Sequence, residues 1–79
     1  MSSLKDLLTY IAQNLVDNPD EVNVIEREEE TETVFELRVS PSDMGKVIGR
    51  GGRIAKEIRA LMRSVAQRQG KRISVDIVD

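Results

Sequence analysis

Cysteine, histidine and tryptophan are absent from this sequence of 79 residues, and tyrosine and phenylalanine occur once each. Without cysteine the chain has neither disulfides nor thiolate ligands for a metal. Without histidine it lacks the commonest general base and the commonest transition-metal ligand. A chain of this length forms one domain, here residues 1–79. The sequence therefore predicts no catalytic residues, no cofactor and no metal site.

Long hydrophobic runs are also missing from the chain. No apolar stretch approaches the length of about 20 residues that a membrane-spanning helix needs. The first six residues, from Met1 to Asp6, lack the basic start and the continuous apolar stretch of a secretory signal. We therefore expect no membrane association and a cytoplasmic location.

Charge is unevenly distributed between the two halves of the chain, although the net charge is only −2. Residues 1–40 carry three basic and ten acidic residues, whereas residues 41–79 carry nine basic and four acidic ones. A basic half of this kind favours a polyanionic partner for one face of the molecule. Charge alone is explained equally well by an ordinary solvated surface.

The first segment has apolar residues at helical spacing. A helix is predicted over about residues 3–17, with Ser3 and Asp6 as a capping box at its start. Asn18-Pro19 is expected to end it, because the residue before a proline is pushed out of the helical region. Tyr10 falls near the apolar stripe and is expected in the core. The stripe consists of Leu4, Leu7, Leu8, Ile11 and Leu15.

Three later segments alternate apolar and polar residues, which predicts strands. They are centred on Val22 and Val24, on Phe35, Leu37 and Val39, and on Ile73, Val75 and Ile77. The acidic segment 26–32 is expected to form the tip of a hairpin between the first two strands. A solvated tip, which keeps the sheet edge unpaired, is favoured there over a divalent-metal site.

Two helices are predicted between the second and third strands. Ser40 is placed at the cap of the first, Pro41 at its first helical position and Asp43 at the reciprocal capping position. This helix is expected to be short because three glycines follow within 49–52. The next helix is expected to end at Gly70. Its predicted apolar stripe consists of Ile54, Ile58, Leu61 and Val65.

The glycine-rich loop between these helices is the most informative segment of the sequence. Glycine permits a positive φ and a close approach of another backbone. The helix that begins after Gly52 presents unpaired N–H groups and a positive dipole end to an anion. Arg50 and Arg53 add positive charge beside it. This combination indicates a phosphate-binding loop.

Two common nucleotide-binding motifs do not fit this loop. A Walker loop counted from Gly45 requires a glycine at position 50 and a lysine at position 51, where the chain has Arg50 and Gly51. A dinucleotide fingerprint counted from Gly49 requires a glycine at position 54, where Ile54 stands. The pattern that fits is the KH module, whose GXXG loop between two helices clamps about four nucleotides.

Residues 47–58, with paired aliphatic residues, GXXG and isoleucines four positions apart, resemble the signature of KH domains. The order of elements resembles the type II (prokaryotic) KH topology, and over its whole length the chain is similar to the small bacterial KH proteins of the KhpA family. The resemblance implies an α+β fold in the order α-β-β-α-α-β. Three helices are expected to cover one face of a three-stranded sheet.

The resemblance assigns the GXXG loop to residues 49–52, with Gly49 and Gly52 as outer glycines and Arg50 and Gly51 facing the RNA backbone. It also implies an aliphatic floor for the bases, formed by Ile48 and Ile54 with Val39 or a neighbouring strand residue opposite. Core packing explains these two isoleucines equally well, and is preferred for Ile58, Leu61 and Val65. Arg53, Lys46 and Lys56 are candidate phosphate contacts. For Lys46, Lys56, Arg59 and Arg63, ordinary solvated charge is at least as well supported.

The scarcity of aromatic residues bears on how bases are contacted. RRM and OB modules stack bases on exposed aromatic side chains, whereas Tyr10 and Phe35 are both expected in the core. Base contacts are therefore expected to be aliphatic packing and hydrogen bonds. We expect weak binding of single-stranded RNA with low sequence specificity.

The resemblance also implies protein partners. Proteins of the KhpA family form homodimers and pair with a second KH-containing protein of the Jag/KhpB type, and a role as RNA chaperone or post-transcriptional regulator follows from the same likeness. Dimerisation raises the affinity of a domain that reads only about four nucleotides. The alternative hypothesis is a KH-fold protein–protein docking module. An enzyme is not expected.

Overall fold

The computed structural model describes residues 3–78, and its elements follow the predicted order. Residues 1, 2 and 79, which the predicted domain includes, lie outside the described residues. No helix within 3–78 is long and apolar enough to cross a membrane. The elements are α1 Leu4–Gln13, β1 Asn23–Glu28, β2 Thr33–Arg38, α2 Met44–Ile48, α3 Arg53–Arg68 and β3 Ile73–Val78.

The sheet has the strand order β1-β2-β3, with β1 antiparallel and β3 parallel to β2. Phe35 in β2 lies between Glu26 of β1 and Val75 of β3. Its side chain is 1% exposed and belongs to a core formed with α1 and α3. Ile25 directly follows the buried Val24 in β1, so its side chain points to the opposite face of the sheet, where it is 40% exposed. The predicted fold, with helices on one face of a three-stranded sheet, is confirmed.

Helix α1 begins as predicted but ends four residues early. The Ser3 hydroxyl accepts a hydrogen bond from the Asp6 N–H at 3.1 Å, which caps the first turn. At the other end, the Asn14 side-chain amide donates to the Tyr10 carbonyl at 2.8 Å. The Leu15 N–H bonds to the Ala12 carbonyl in a tighter turn. The helix therefore ends at Gln13, because Asn14 satisfies a terminal carbonyl before the chain reaches Asn18-Pro19.

The predicted apolar stripes of α1 and α3 lie in or against the core, with the exception of Leu61. The buried residues of α1 are Leu4, Leu8 and Ala12, and those of α3 are Ala55, Ile58, Met62 and Ala66. Tyr10 is 66% exposed and Leu61 is 48% exposed, so both core predictions are wrong. Tyr10 lies off the line of Leu4, Leu8 and Ala12 on α1, and Leu61 lies off the buried line of α3, so neither side chain faces the core.

Helix α3 ends at a glycine cap, as predicted. Gly70 has a φ of 70°, and its N–H bonds to the Gln67 carbonyl at 3.0 Å. The Lys71 N–H bonds to the Ala66 carbonyl at 2.9 Å, which completes a Schellman motif. This turn fixes the direction in which the chain leaves α3 and passes through Lys71 and Arg72 to the start of β3.

The acidic segment 26–32 is only partly a turn. Strand β1 continues to Glu28, which is paired with Thr33 of β2, so the hairpin tip is limited to residues 29–32. The Glu29 N–H bonds to the Glu32 carbonyl at 2.8 Å and closes the tip. Cross-strand pairing with β2 therefore extends the strand into a sequence whose composition disfavours strands.

Asp43 has a different role from the one predicted. Ser40 makes no side-chain capping bond to the helical turn that begins at Pro41. The Asp43 carboxylate is 1% exposed and accepts hydrogen bonds from the Asp17 N–H, the Asn18 N–H and the Asn18 side-chain amide at 3.2, 3.0 and 3.0 Å. It therefore anchors the link between α1 and β1 to the start of α2.

The acidity of Asp43 follows from these contacts. Burial alone would raise its pKa, but the hydrogen bonds from Asn18 and Asp17 and the charge of Lys46 outweigh burial and lower the pKa below its ordinary value. A carboxyl with a lowered folded-state pKa stabilises the fold above its unfolded-state pKa. This contribution is lost as the pH falls through the folded-state value.

We expect Asp43→Asn to lower the melting temperature at pH 7 by about 5–15 °C. The asparagine amide would place a donor opposite the donors of Asp17 and Asn18. Thermal unfolding followed by circular dichroism at pH 7 and at about pH 3 measures the effect. The difference in melting temperature between the unmodified chain and Asp43→Asn is expected to be smaller at the acidic pH. A difference that is the same at both pH values contradicts the stabilising role assigned to the Asp43 charge. Asp20→Asn, at an exposed position, is the matched control.

Candidate nucleic-acid interface

The loop between α2 and α3 is shaped by three glycines with positive φ. Gly49 has a φ of 75° and a ψ of 175°, a region that is essentially restricted to glycine. Gly51 and Gly52 have φ values of 65° and 76°. The Gly52 N–H bonds to the Gly49 carbonyl at 3.1 Å and closes the turn. The loop backbone can adopt this path only because these positions lack a Cβ.

Gly49 is also required by its contact with the first turn of α3. A Cβ added at Gly49 would lie 2.7 Å from Cγ1 and 3.0 Å from Cβ of Ile54. The equivalent atoms at Gly51 and Gly52 would meet nothing within 4 Å. The loop is therefore tightly packed at its first glycine and open to solvent at Gly51.

The positive end of α3 lies directly behind this open surface. Helix α3 is 16 residues long, and its cap residue, Gly52, provides no side chain to bind the first-turn N–H groups. An uncapped N-terminus of a helix attracts an anion through its N–H groups and its dipole. The loop and this helix end together offer a site for a phosphate group.

Arg50 and Arg53 add positive charge to the site. Arg50 is exposed, and no carboxylate within residues 3–78 lies within 4.0 Å of it. Arg53 faces Glu57 at 4.0 Å, where both side chains are largely exposed and the pair is weak. Both arginines are therefore able to turn toward an anion at the loop.

The aliphatic residues next to the loop are partly buried. Ile48 and Ile54 both pack against the core and retain partial exposure, so the structure agrees with both the groove and the core interpretations. Val39 is 5% exposed and belongs to the core, so it cannot form the opposite wall of a groove. Ile77 of β3 is partly buried and packs against the core.

The other predicted basic residues differ in their surroundings. Lys46 forms an ion pair with Asp17 at 3.4 Å, which ties it to the link held by Asp43. Lys56 is exposed and has no carboxylate within 4.0 Å in the described part of the chain. Arg59 donates from Nε to the Val75 carbonyl at 3.1 Å, so its guanidinium lies against β3. Lys56 is the more available of the two lysines for a ligand.

The position of Tyr10 differs from the expectation that both aromatic residues lie in the core. The absence of exposed aromatic residues does not hold, because Tyr10 lies in a groove with Leu7, Val65 and Gln69. Val65 lies 13 residues after Gly52, about 20 Å along the helix axis. Tyr10 is therefore remote from the loop, and the expectation of aliphatic base contacts remains a prediction.

A GXXG loop between two helices, in an α-β-β-α-α-β chain whose last two strands are parallel, defines a type II KH domain. A protein-family model described as "KhpA/KhpB, KH domain" matches residues 5–77. The chain belongs to this family.

Curated relatives agree with this assignment. The chain is 46% identical over 79 residues to "RNA-binding protein KhpA" of Aquifex aeolicus, and the match covers 100% of both chains. It is 51% identical over 75 residues to the protein of the same name from Clostridium acetobutylicum, covering 95% of this chain and 100% of the relative.

Solved structures show the same fold in a larger protein. Era from Aquifex aeolicus, bound to GDP.AlF4-, matches 94% of this chain with a TM-score of 0.67 and 19% identity. Era in complex with MgGDPNP and nucleotides 1506–1542 of 16S ribosomal RNA matches 94% of this chain with a TM-score of 0.65 and 19% identity. This chain covers only 29% and 28% of those Era chains. The likeness therefore shows the fold alone.

Proposed function

We propose that this chain binds single-stranded RNA without catalysing a reaction, and that its GXXG loop holds about four nucleotides. The observation that carries the proposal is the open loop at the uncapped N-terminus of α3, beside which Arg50 forms no ion pair with any carboxylate of residues 3–78. The relatives named "RNA-binding protein KhpA" support the same ligand.

The geometry supports a division of roles within the site. The N-terminus of α3, Arg50 and Arg53 contact phosphates, and Gly51 lets the sugar–phosphate backbone approach the loop closely. The partly exposed surfaces of Ile48 and Ile54 support the bases, with Lys56 and the more restricted Lys46 at the margins. Because phosphate contacts position a strand while base edges specify sequence, such a site gives low sequence specificity. This property suits an RNA chaperone or a post-transcriptional regulator in the cytoplasm.

The affinity for a short fluorescent single-stranded RNA is expected to fall with salt. For single strands, log K falls by about 0.7 per log unit of salt for each neutralised phosphate. Two to four phosphate contacts therefore predict a slope of roughly −1.5 to −3. Fluorescence anisotropy at several salt concentrations measures it. A slope near zero, or no binding at low salt, would favour the docking-module hypothesis instead.

We also infer that the chain forms a weak homodimer through the face shared by α1 and α3. Tyr10 and Leu61 are two of the three exposed large hydrophobic residues among those described, and the third, Ile25, is on the far face of the sheet. Tyr10 lines a groove of about 470 Å³ together with Leu7 and Val65, and Leu61 lies one turn before Val65 on α3. The same face is available to a KH-containing partner of the Jag/KhpB type.

Leu61→Glu is expected to convert this homodimer into a monomer. A charge at a half-exposed position removes apolar contact between copies and leaves the core of each copy intact. Sedimentation velocity at high micromolar concentration compares it with Ile25→Glu, the matched control on the opposite face. If the unmodified chain sediments as a monomer, or if both variants behave alike, the α1–α3 face is not the interface.

A further inference from the structure

Basic residues continue along α3 well beyond the GXXG loop. Within residues 3–78 none of them forms an ion pair, although Arg59 and Arg63 each donate from Nε to a backbone carbonyl, at 3.1 and 3.4 Å. Lys56, Arg59 and Arg63 follow one another at intervals of three and four residues, so they lie on one side of the helix. Arg63 lies about 16 Å from Gly52 along the axis. This row of basic residues connects the loop to the opposite end of the helix.

The row ends at a second concave site, which we name the far cleft. Arg63, Lys71 and Arg72 line it, together with Gln67, Gly70 and Ile73, and its volume is about 420 Å³. The Schellman turn at Gly70 fixes the backbone here and directs Lys71 and Arg72 toward the start of β3. Three positive charges therefore converge on one cleft.

The cations of the far cleft form no ion pairs with the carboxylates of the described residues. Within residues 3–78, ion pairs within 4.0 Å involve Arg27, Arg38, Lys46 and Arg53, and none involves Arg63, Lys71 or Arg72. The chain has 14 acidic residues and 12 basic ones, so carboxylates are not scarce. Convergent like charges without internal partners raise the local concentration of anionic ligands.

Acidic residues of the hairpin lie beside this cleft. The hairpin tip, residues 29–32, lies next to Lys71 and Arg72 across a neighbouring depression, which Glu28 also lines. Its position is fixed by two hydrogen bonds, from the Thr33 N–H to the Arg72 carbonyl at 3.0 Å and from the Ser74 hydroxyl to Glu32 at 3.2 Å. Carboxylates at this point repel phosphates, so an anionic strand that follows α3 stops at the far cleft.

We propose that Arg63, Lys71 and Arg72 form a second phosphate-binding subsite for the same RNA strand that the GXXG loop holds. The strand follows the row of basic residues on α3, and the bound length exceeds the about four nucleotides of the loop alone. The inference rests on the proposed RNA binding. It assigns the ligand class, the sugar–phosphate backbone of single-stranded RNA, to a cleft at the end of α3 farthest from the loop.

Salt titrations with oligouridylates of about four and about eight nucleotides test the subsite. Two additional phosphate contacts make the slope for the longer strand steeper by about 1.4. A longer strand also offers more binding registers. These change the intercept of the plot of log K against log salt concentration and leave its slope unchanged. Lys71→Gln/Arg72→Gln is expected to remove the slope difference and to leave the affinity for the shorter strand within about twofold.

Lys5→Gln/Arg68→Gln is the matched control, because it makes the same change in net charge at exposed residues that do not line the far cleft. The control is expected to keep the slope difference. Equal salt slopes for both RNA lengths in the unmodified chain would contradict the subsite. So would a control variant that loses the slope difference as completely as Lys71→Gln/Arg72→Gln does. If the shorter strand does not bind at all, the proposed function itself fails. If a glutamate-rich peptide of equal charge displaces the longer strand as well as RNA does, the cleft takes acidic protein segments instead.

Discussion

Replacing Arg50 and Gly51 together with aspartate is expected to reduce the affinity for single-stranded RNA by about tenfold to a hundredfold. The substitution places two negative charges where phosphate oxygens approach the end of α3, and it removes the positive charge of Arg50. Gly51 is open to solvent, with nothing within 4 Å of an added Cβ. The loss is therefore electrostatic and does not arise from disruption of the core.

The backbone at Gly51 requires a control for this experiment. Its φ of 65° and ψ of 19° are left-handed, which costs a non-glycine residue about 1 kcal/mol. Arg50→Asn/Gly51→Asn has the same backbone cost and nearly the same size but no negative charge. Fluorescence anisotropy and thermal unfolding of both variants separate charge from stability. If the aspartate variant folds and binds RNA like the unmodified chain, the loop is not the RNA clamp and protein docking becomes the leading hypothesis.

Gly49→Ala is expected to destabilise the domain by about 3 kcal/mol. Two effects add: a backbone conformation that only glycine adopts readily, and a Cβ placed 2.7 Å from Cγ1 of Ile54. For a domain of this size the melting temperature falls by about 12–24 °C. Thermal unfolding followed by circular dichroism measures the change. RNA binding is expected to weaken as well, because Ile54 and the first turn of α3 must shift to make room.

Two other glycines serve as internal controls for Gly49. Gly51→Ala has left-handed strain without a steric clash, so it is expected to cost about 1 kcal/mol. Gly45→Ala lies within α2, where an added Cβ meets nothing within 4 Å, and it is expected to stabilise the helix by about 0.5–1 kcal/mol. Equal effects of Gly49→Ala and Gly51→Ala would show that the contact with Ile54 does not constrain the loop.

The agreement between sequence and structure is closest where the relevant residues are near one another in the chain. The Ser3 cap, the Gly70 cap and the GXXG turn each depend on backbone groups within about five positions. The alternation of Phe35 and Leu37 with polar neighbours indicated which side chains of β2 enter the core, although Val34 on the other face is also buried. Residues 47–58 also indicated the family, and the full-length match to a KhpA relative agrees with that interpretation.

The sequence by itself determined the order of the elements, the glycine loop and the uncapped start of α3, because each follows from local spacing and residue type. Only the tertiary structure decided which residues beside the helical stripes are buried: Tyr10 and Leu61 lie on the surface, whereas Ala12, Ala55 and Ala66 face the core. It also decided that Asp43 binds Asp17 and Asn18, partners 26 and 25 positions away that no local pattern relates to it. The far cleft has the same origin, since Arg63 and Arg72 converge only when the turn at Gly70 brings β3 back beside α3.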